Sequence, residues 1–320
     1  MAERSNKHIS APADEEHAGL FGYAEVGSYG LGQSLLAWAR CRNWCNLHGI
    51  EMLAPNWLHV QHRIGPIRRR ERDNRQYHRL FRFDGYVTGL HRLFLLTTSK
   101  RIPAADTDLD QLLRQRGKGL VLFKNLEDRN EETYFPEIAG QGAEIRRNLL
   151  AITKPQYWPA PDLLPHIALH VRMGDFSTPA TLDDLRRGAK NSRIPVEWYA
   201  NILAGLRTRL GPVPARLYSD GSDEALALLL QMPDVVRPPK QPSVTDLLSI
   251  GQSRLVISSG SGFSFWGAFL GDAPRICFPG QRFTNVLKSE PGLDLEPECE
   301  DVAELPENFI EHARSALWRQ

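Results

Sequence analysis

Apolar positions recur along the chain with two periods that take turns. Phe21–Val26 is a short apolar run of strand length, and Leu35, Leu36, Trp38, Ala39 and Leu47 then repeat at helical spacing up to Gly49. Glu51–Ala54 and Gly119–Phe123 read as further strands, and Ile145–Ile152 as a helix. Pro155, Pro159, Pro161 and Pro165 interrupt the pattern and mark a connection. The expected organisation is a frayed polar tail over 1–17, an N-terminal domain over 18–160 and a C-terminal domain over 161–320. Beyond Pro165 the alternation is regular. A strand through His166–Val171 precedes a helix opened by Pro195, with Trp198, Tyr199, Ile202, Leu203, Leu206 and Leu210 on one face. Ala215–Tyr218 is the next strand, Glu224–Met232 is helical, and Ser243 with Asp246 has the form of a capping box for Val244–Ile250. Arg254–Ser258, a loop over Ser259–Ser264, a helix starting through Phe265–Leu270 and a strand at Arg275–Phe278 follow. Strand and helix in alternation predict an α/β fold with a parallel doubly wound sheet in the C-terminal half.

Composition adds bounds to this picture. The 320 residues are 42% hydrophobic and 24% charged, enough for two domains with sizeable cores, and no apolar run of membrane-spanning length interrupts them. Cys41, Cys45, Cys277 and Cys299 are too scattered for a disulfide framework, which favours a reducing, cytoplasmic setting. The net charge of +1 hides a local bias, because residues 61–101 hold eleven Lys or Arg against three Asp or Glu. Arg68, Arg69, Arg70, Arg72, Arg75, Arg79 and Arg82 are interleaved there with Tyr77, Phe81 and Phe83. Nucleic acid, a solvated helical face, and a groove for an anionic acceptor or membrane surface are the three uses such a stretch can have. Asp106–Asp110 contains two Asp-x-Asp patterns, read as a surface helix cap ahead of a metal site.

The candidate chemistry collects where predicted strands stop. One strand ends in His170, Arg172, Gly174 and Asp175, a second in Ser219, Asp220 and Ser222, a third in Ser259, Ser261 and Ser264. Carboxyl ends of parallel strands lie on one edge of a sheet, so the three clusters are expected to converge on one crevice. Small residues opening a helix offer backbone N–H groups to an anion, and an Arg can grip the same phosphate bidentately. The combination points to a nucleotide diphosphate, with Asp220 available to a base or ribose. Near the N-terminus, Gly27-Ser28-Tyr29-Gly30-Leu31-Gly32-Gln33-Ser34 is a glycine turn that Ser34 would end as a helix cap. Asp175, His170 and Glu25 are the titratable side chains near these loops that could act as a base.

At these residues the sequence resembles the alpha-1,2-fucosyltransferases (glycosyltransferase family 11) and their relatives, enzymes of the GT-B type. The family's H-x-R-R-G-D is similar to His170-Val171-Arg172-Met173-Gly174-Asp175, and its Ser-Asp-Asp region to Ser219-Asp220-Gly221. Its N-S-T-F-S-W-W-G-A-W-L resembles Gly260–Leu270, and its G-L-G-N-Q loop resembles Gly30–Ser34. The resemblance implies two Rossmann-like domains facing across a cleft and inverting transfer from GDP-fucose to a glycan hydroxyl, without a metal cofactor. It implies that Arg172 binds the donor diphosphate with Ser264 and neighbouring amides, and that His170, Gly174, Ser219, Asp220, Ser261, Phe263, Gly30 and Gly32 lie on the donor side. Arg68, Arg72 and Tyr77 are expected on the acceptor side, where a lipid-linked glycan or the inner face of a membrane would be met and no nucleic acid is expected. Met173 stands where the family has its second Arg, Gly260 and Gly262 replace Asn and Thr, and Gln33-Ser34 replaces Asn-Gln. A related transferase using another nucleotide sugar, and a non-catalytic binder of nucleotide sugars or nucleic acid on the same fold, are the alternatives.

Overall fold

The computed structural model describes residues 19–27, 30–58, 76–124, 135–161 and 164–318. The expected tail at 1–17 lies outside them, as do Arg68 and Arg72. Two parallel sheets build the molecule. The first takes β1 (Leu20–Glu25), β2 (Glu51–Leu53), β3 (Arg101–Pro103) and β4 (Gly119–Lys124) in the order β2-β1-β4-β3. Its helices are α1 (Leu31–Leu47), α2 (Gly89–Thr98) and α3 (Leu109–Arg114), and α4 (Gly142–Ile152) follows β4. The second sheet takes β5 (Ile167–Val171), β6 (Ala215–Ser219), β7 (Val235–Val236), β8 (Leu255–Ser258) and β9 (Arg275–Cys277) in the order β7-β6-β5-β8-β9. Helices α5 (Leu182–Arg186), α6 (Val196–Leu210), α7 (Ala227–Leu230), α8 (Ser243–Ile250), α9 (Gly262–Gly271) and α10 (Glu307–Trp318) accompany it. Every strand pairing within the two sheets is parallel, as the alternation of elements predicted.

Both sheet orders reverse direction once, between β1 and β4 in the first and between β5 and β8 in the second. At such reversals the following loops diverge to opposite faces and leave a crevice beyond the strand ends.

The core explains why the strands are so apolar. Ile167, Leu169 and Val171 of β5 pack with Trp198, Leu203 and Leu206 of α6 and with Phe309 and Ile310 of α10 on one face. The other face meets α8 and α9, whose Leu247, Trp266 and Phe269 join Leu35, Trp38, Phe135 and Ile145 of the N-terminal half in one continuous cluster. The opposite side of the first sheet carries a far smaller cluster of Leu53, Val87, Leu95, Leu120 and Leu122.

Two expected caps are placed differently. Helix α1 begins at Leu31, so Ser34 lies inside it, fully buried, and donates from Oγ to the Val26 carbonyl at 3.1 Å. Helix α8 starts on Ser243 itself with Pro242 at the cap position. Asp108 does cap α3, accepting from the Gln111 amide at 2.8 Å.

Candidate active site at the two strand reversals

Each reversal holds a polar pair. In the first sheet Glu25 and Lys124 are direct partners across β1 and β4, and their side chains form an ion pair at 2.9 Å. In the second, His170 near the end of β5 is buried with Nδ1 2.9 Å from Ser259 Oγ beyond β8. The imidazole stacks on Phe263 at 5.4 Å between centroids and 23° between planes. The sheet order alone brings these groups together, since β5 and β8 are neighbours only through the crossover.

Helix α9 opens beside this pair. Ser261 caps it, accepting from the Phe263 amide at 3.3 Å. Ser264 turns inward: its fully buried hydroxyl donates to the Ser259 and Ser261 carbonyls at 2.9 Å each and accepts from Ser258 Oγ at 3.1 Å. The Ser264 hydroxyl, expected to assist at the diphosphate, here locks the turn that opens α9. A side chain added at Gly262 would meet open space, as would one at Gly30. Between them, Trp266 donates from Nε1 to the Gly32 carbonyl at 2.7 Å, which joins the glycine turn of the first sheet to α9 of the second.

Arg172 sits just beyond β5 between two carboxylates. It pairs through Nη2 with Asp175 at 2.7 Å and through Nη1 with Asp220 at 2.6 Å, and its guanidinium carbon lies 5.6 Å from the Phe176 ring centre. A guanidinium has five N–H donors, so these two contacts leave others for an incoming anion. Asp220 is not left over for a base or ribose as expected. Its Oδ1 accepts from the Met173 amide at 2.8 Å, and the Gly174 amide also binds it. Burial pushes its acidity down, but Arg172 and these two amides outweigh it and hold its pKa below the usual carboxylate value. Gly174 is required by this clamp, because a Cβ there would lie 2.2 Å from Asp220 Oδ2.

Ser219 is likewise built into its own loop, with Oγ donating to the Val171 carbonyl at 2.6 Å and accepting from the Gly221 amide at 3.0 Å. Met173 is partly buried against the core, with its thioether over Gly221. Two arginines that sequence reasoning missed brace the loops around it. Arg193 donates from Nε to the Met173 and Phe176 carbonyls at 2.8 and 2.6 Å. Arg237 donates from Nη2 to the Ser219 and Gly221 carbonyls at 3.0 and 2.7 Å and pairs with Asp223. Neither lies in a motif, and each reaches the loops from a connecting segment 16 to 20 residues away in sequence, so no local signal exposed them. Tyr77, expected on the acceptor side, is instead buried in the main core on a 3-10 turn.

Among the described residues no three His, Cys, Asp or Glu side chains come together as a metal site would need. None of the described helices is long and apolar enough to cross a membrane.

No protein-family profile and no curated protein sequence matches the chain. Solved structures with a similar chain path include the NodZ alpha-1,6-fucosyltransferase soaked with GDP-fucose, at 15% identity and a TM-score of 0.42 over 81% of this chain and 95% of that one. Heptosyltransferase WaaC of E. coli with ADP-2-deoxy-2-fluoro heptose is similar at 12% identity and a TM-score of 0.42, over 91% and 97%. POFUT1 in complex with GDP is similar at 12% identity and a TM-score of 0.39, over 82% and 98%. Likeness this distant is too loose to carry a functional argument.

Proposed function

We propose that the chain is a glycosyltransferase that moves a sugar, with inversion, from a nucleotide-sugar donor to a glycan hydroxyl, and that the donor is GDP-fucose. The observation that carries this reading is the placement of Arg172, His170 and the first turn of α9 at the reversal point of the second sheet, with the Gly30–Gly32 turn of the first sheet tied to the same helix. Crevices at such points are where open parallel sheets take nucleotides. The motif resemblance of His170–Asp175 and Gly260–Leu270 supports fucose as the sugar.

In this reading the acceptor oxygen attacks the anomeric carbon as the bond to the diphosphate breaks. Negative charge grows on the leaving phosphate, and Arg172 with the α9 amides stabilises it. Asp175, the carboxylate in contact with Arg172, takes the hydroxyl proton in this reading, while Glu25 is paired with Lys124 on the other sheet and His170 is held by Ser259 and Phe263. His170 is then a positioning residue that sets the start of α9.

A thermal-shift panel tests the donor. A ligand at 100 times its Kd adds about 2.7 kcal/mol of stability, so GDP and GDP-fucose should raise Tm in proportion to the logarithm of their concentration while UDP and ADP do not. Stabilisation by UDP or ADP alone would assign another donor to the same crevice, and no response to any nucleotide would refute the site. Arg172→Ala should abolish the GDP response and slow transfer about 100-fold or more, the scale of losing one strong oxyanion contact.

A further inference from the structure

Helix α2 presents three of its five large apolar residues to the wrong side for a protein that meets only water. His91, Arg92, Leu95 and Leu96 face the first sheet: His91 meets the Phe21 ring edge-on at 6.0 Å, Arg92 donates from Nε to the Ala54 carbonyl at 2.8 Å, and Leu95 is buried. Leu90, Leu93, Phe94 and Thr97 follow the i, i+3, i+4, i+7 spacing of a single stripe and point away from that sheet. Leu90 is 86% exposed, Leu93 56% and Phe94 61%. A surface helix ordinarily turns its polar stripe outward, and a contiguous exposed apolar stripe marks a surface that meets something.

We infer that α2 is a docking element for an anionic lipid bilayer, lying in the interface plane with Leu90, Leu93 and Phe94 among the acyl chains. Charge complementarity selects this occupant. Exposed Lys100 and Arg101 follow the helix directly, and no Asp or Glu occurs between Asp84 and Asp106. An exposed apolar stripe followed in the chain by exposed basic residues is a pattern that anionic membranes attract. Three side chains are too small an area for a second copy of the chain, since a standard interface buries about 800 Å² per partner. The two longest segments outside the described residues, 1–18 and 59–75, have only Met1, Ile9, Val60, Ile64 and Ile67 as large apolar side chains with which to cover it. The inference stands on α2 alone and is independent of the donor reading.

Vesicle sedimentation tests it, using the full chain, phosphatidylcholine vesicles, and the same vesicles with a third of the lipid replaced by phosphatidylglycerol. Binding is expected to the anionic vesicles only, weakening as salt is raised. The exposed substitutions Leu93→Ser with Phe94→Ser should lower the partition coefficient about tenfold or more while Tm and nucleotide response stay unchanged. Lys100→Glu with Arg101→Glu should reduce it by a similar factor at low salt and less at high salt. Absence of vesicle binding, or binding unaffected by both pairs, overturns the proposal. Sedimentation velocity on the same samples separates the rival occupant: a dimer that the Leu93 and Phe94 substitutions dissociate would assign the stripe to a second copy and overturn it too.

Discussion

Asp220 shows how a single residue ties the candidate site to stability. Its carboxylate receives Arg172 and the Met173 and Gly174 amides, and its pKa is held below the usual value of about 3.9. A carboxylate with a depressed folded pKa adds stability that is fully present above the unfolded value and is lost as pH falls through the folded one. Urea midpoints should therefore drop as pH falls below about 4, the unfolded carboxylate value, in the wild type. Asp220→Asn should lower the midpoint at neutral pH and give a shallower fall across that window. Parallel curves for the two proteins would show that Asp220 does not feel Arg172. His170, Arg172, Asp175 and Asp220 were legible as candidates because polar residues ending an apolar strand form a local pattern. The arginines that brace the adjoining loops were not legible, because Arg193 and Arg237 bind loop carbonyls through tertiary contacts that leave no spacing signature.

At the scale of elements, close approaches carry the specificity of packing. Helix α4 meets the end of α9 at Gly142, where an added Cβ would come 2.0 Å from the Phe269 carbonyl oxygen. Backbone cannot yield as a flexible side chain can, so Gly142→Ala should cost about 1–3 kcal/mol by overpacking, read from the urea midpoint. A neutral outcome would mean that α4 and α9 separate readily. Apolar periodicity was enough to find most strands and α6, because burial on a sheet or against a helix imposes it. The starts of α1 and α8 were misplaced because caps depend on what lies opposite. Ser34 ties α1 back to Val26, so its hydroxyl serves the strand and not the helix end. The stretch 61–101 was read for its basic residues and interleaved aromatics, and α2 within it went unforeseen.

For the whole molecule, the decisive fact is that one core runs through both sheets' helices. Trp266 and Phe269 of α9 pack against Phe135 at ring-centre distances of 5.1 and 5.2 Å, and Trp266 also holds the Gly32 carbonyl. Two halves joined through shared apolar surface lose it together, so tryptophan fluorescence and far-UV circular dichroism should trace one coincident thermal transition. Two separated transitions would show that each half folds alone. Trp266→Phe, which deletes the bond to Gly32, should lower stability by about 0.5–1.5 kcal/mol and weaken nucleotide binding by loosening the start of α1 from α9.

The linear chain by itself determined the alternation of strands and helices, the parallel sheet of the C-terminal half and the polar strand ends that nominate a site, since each follows from local periodicity and from the geometry of parallel strands. Only the tertiary structure decided which hydroxyls face inward, which carboxylates Arg172 meets, that Tyr77 belongs to the core, and that α2 shows apolar side chains to its surroundings. Those outcomes depend on groups far apart in sequence coming within a few ångströms of each other, and strand order and shared burial settle that for the molecule as a whole.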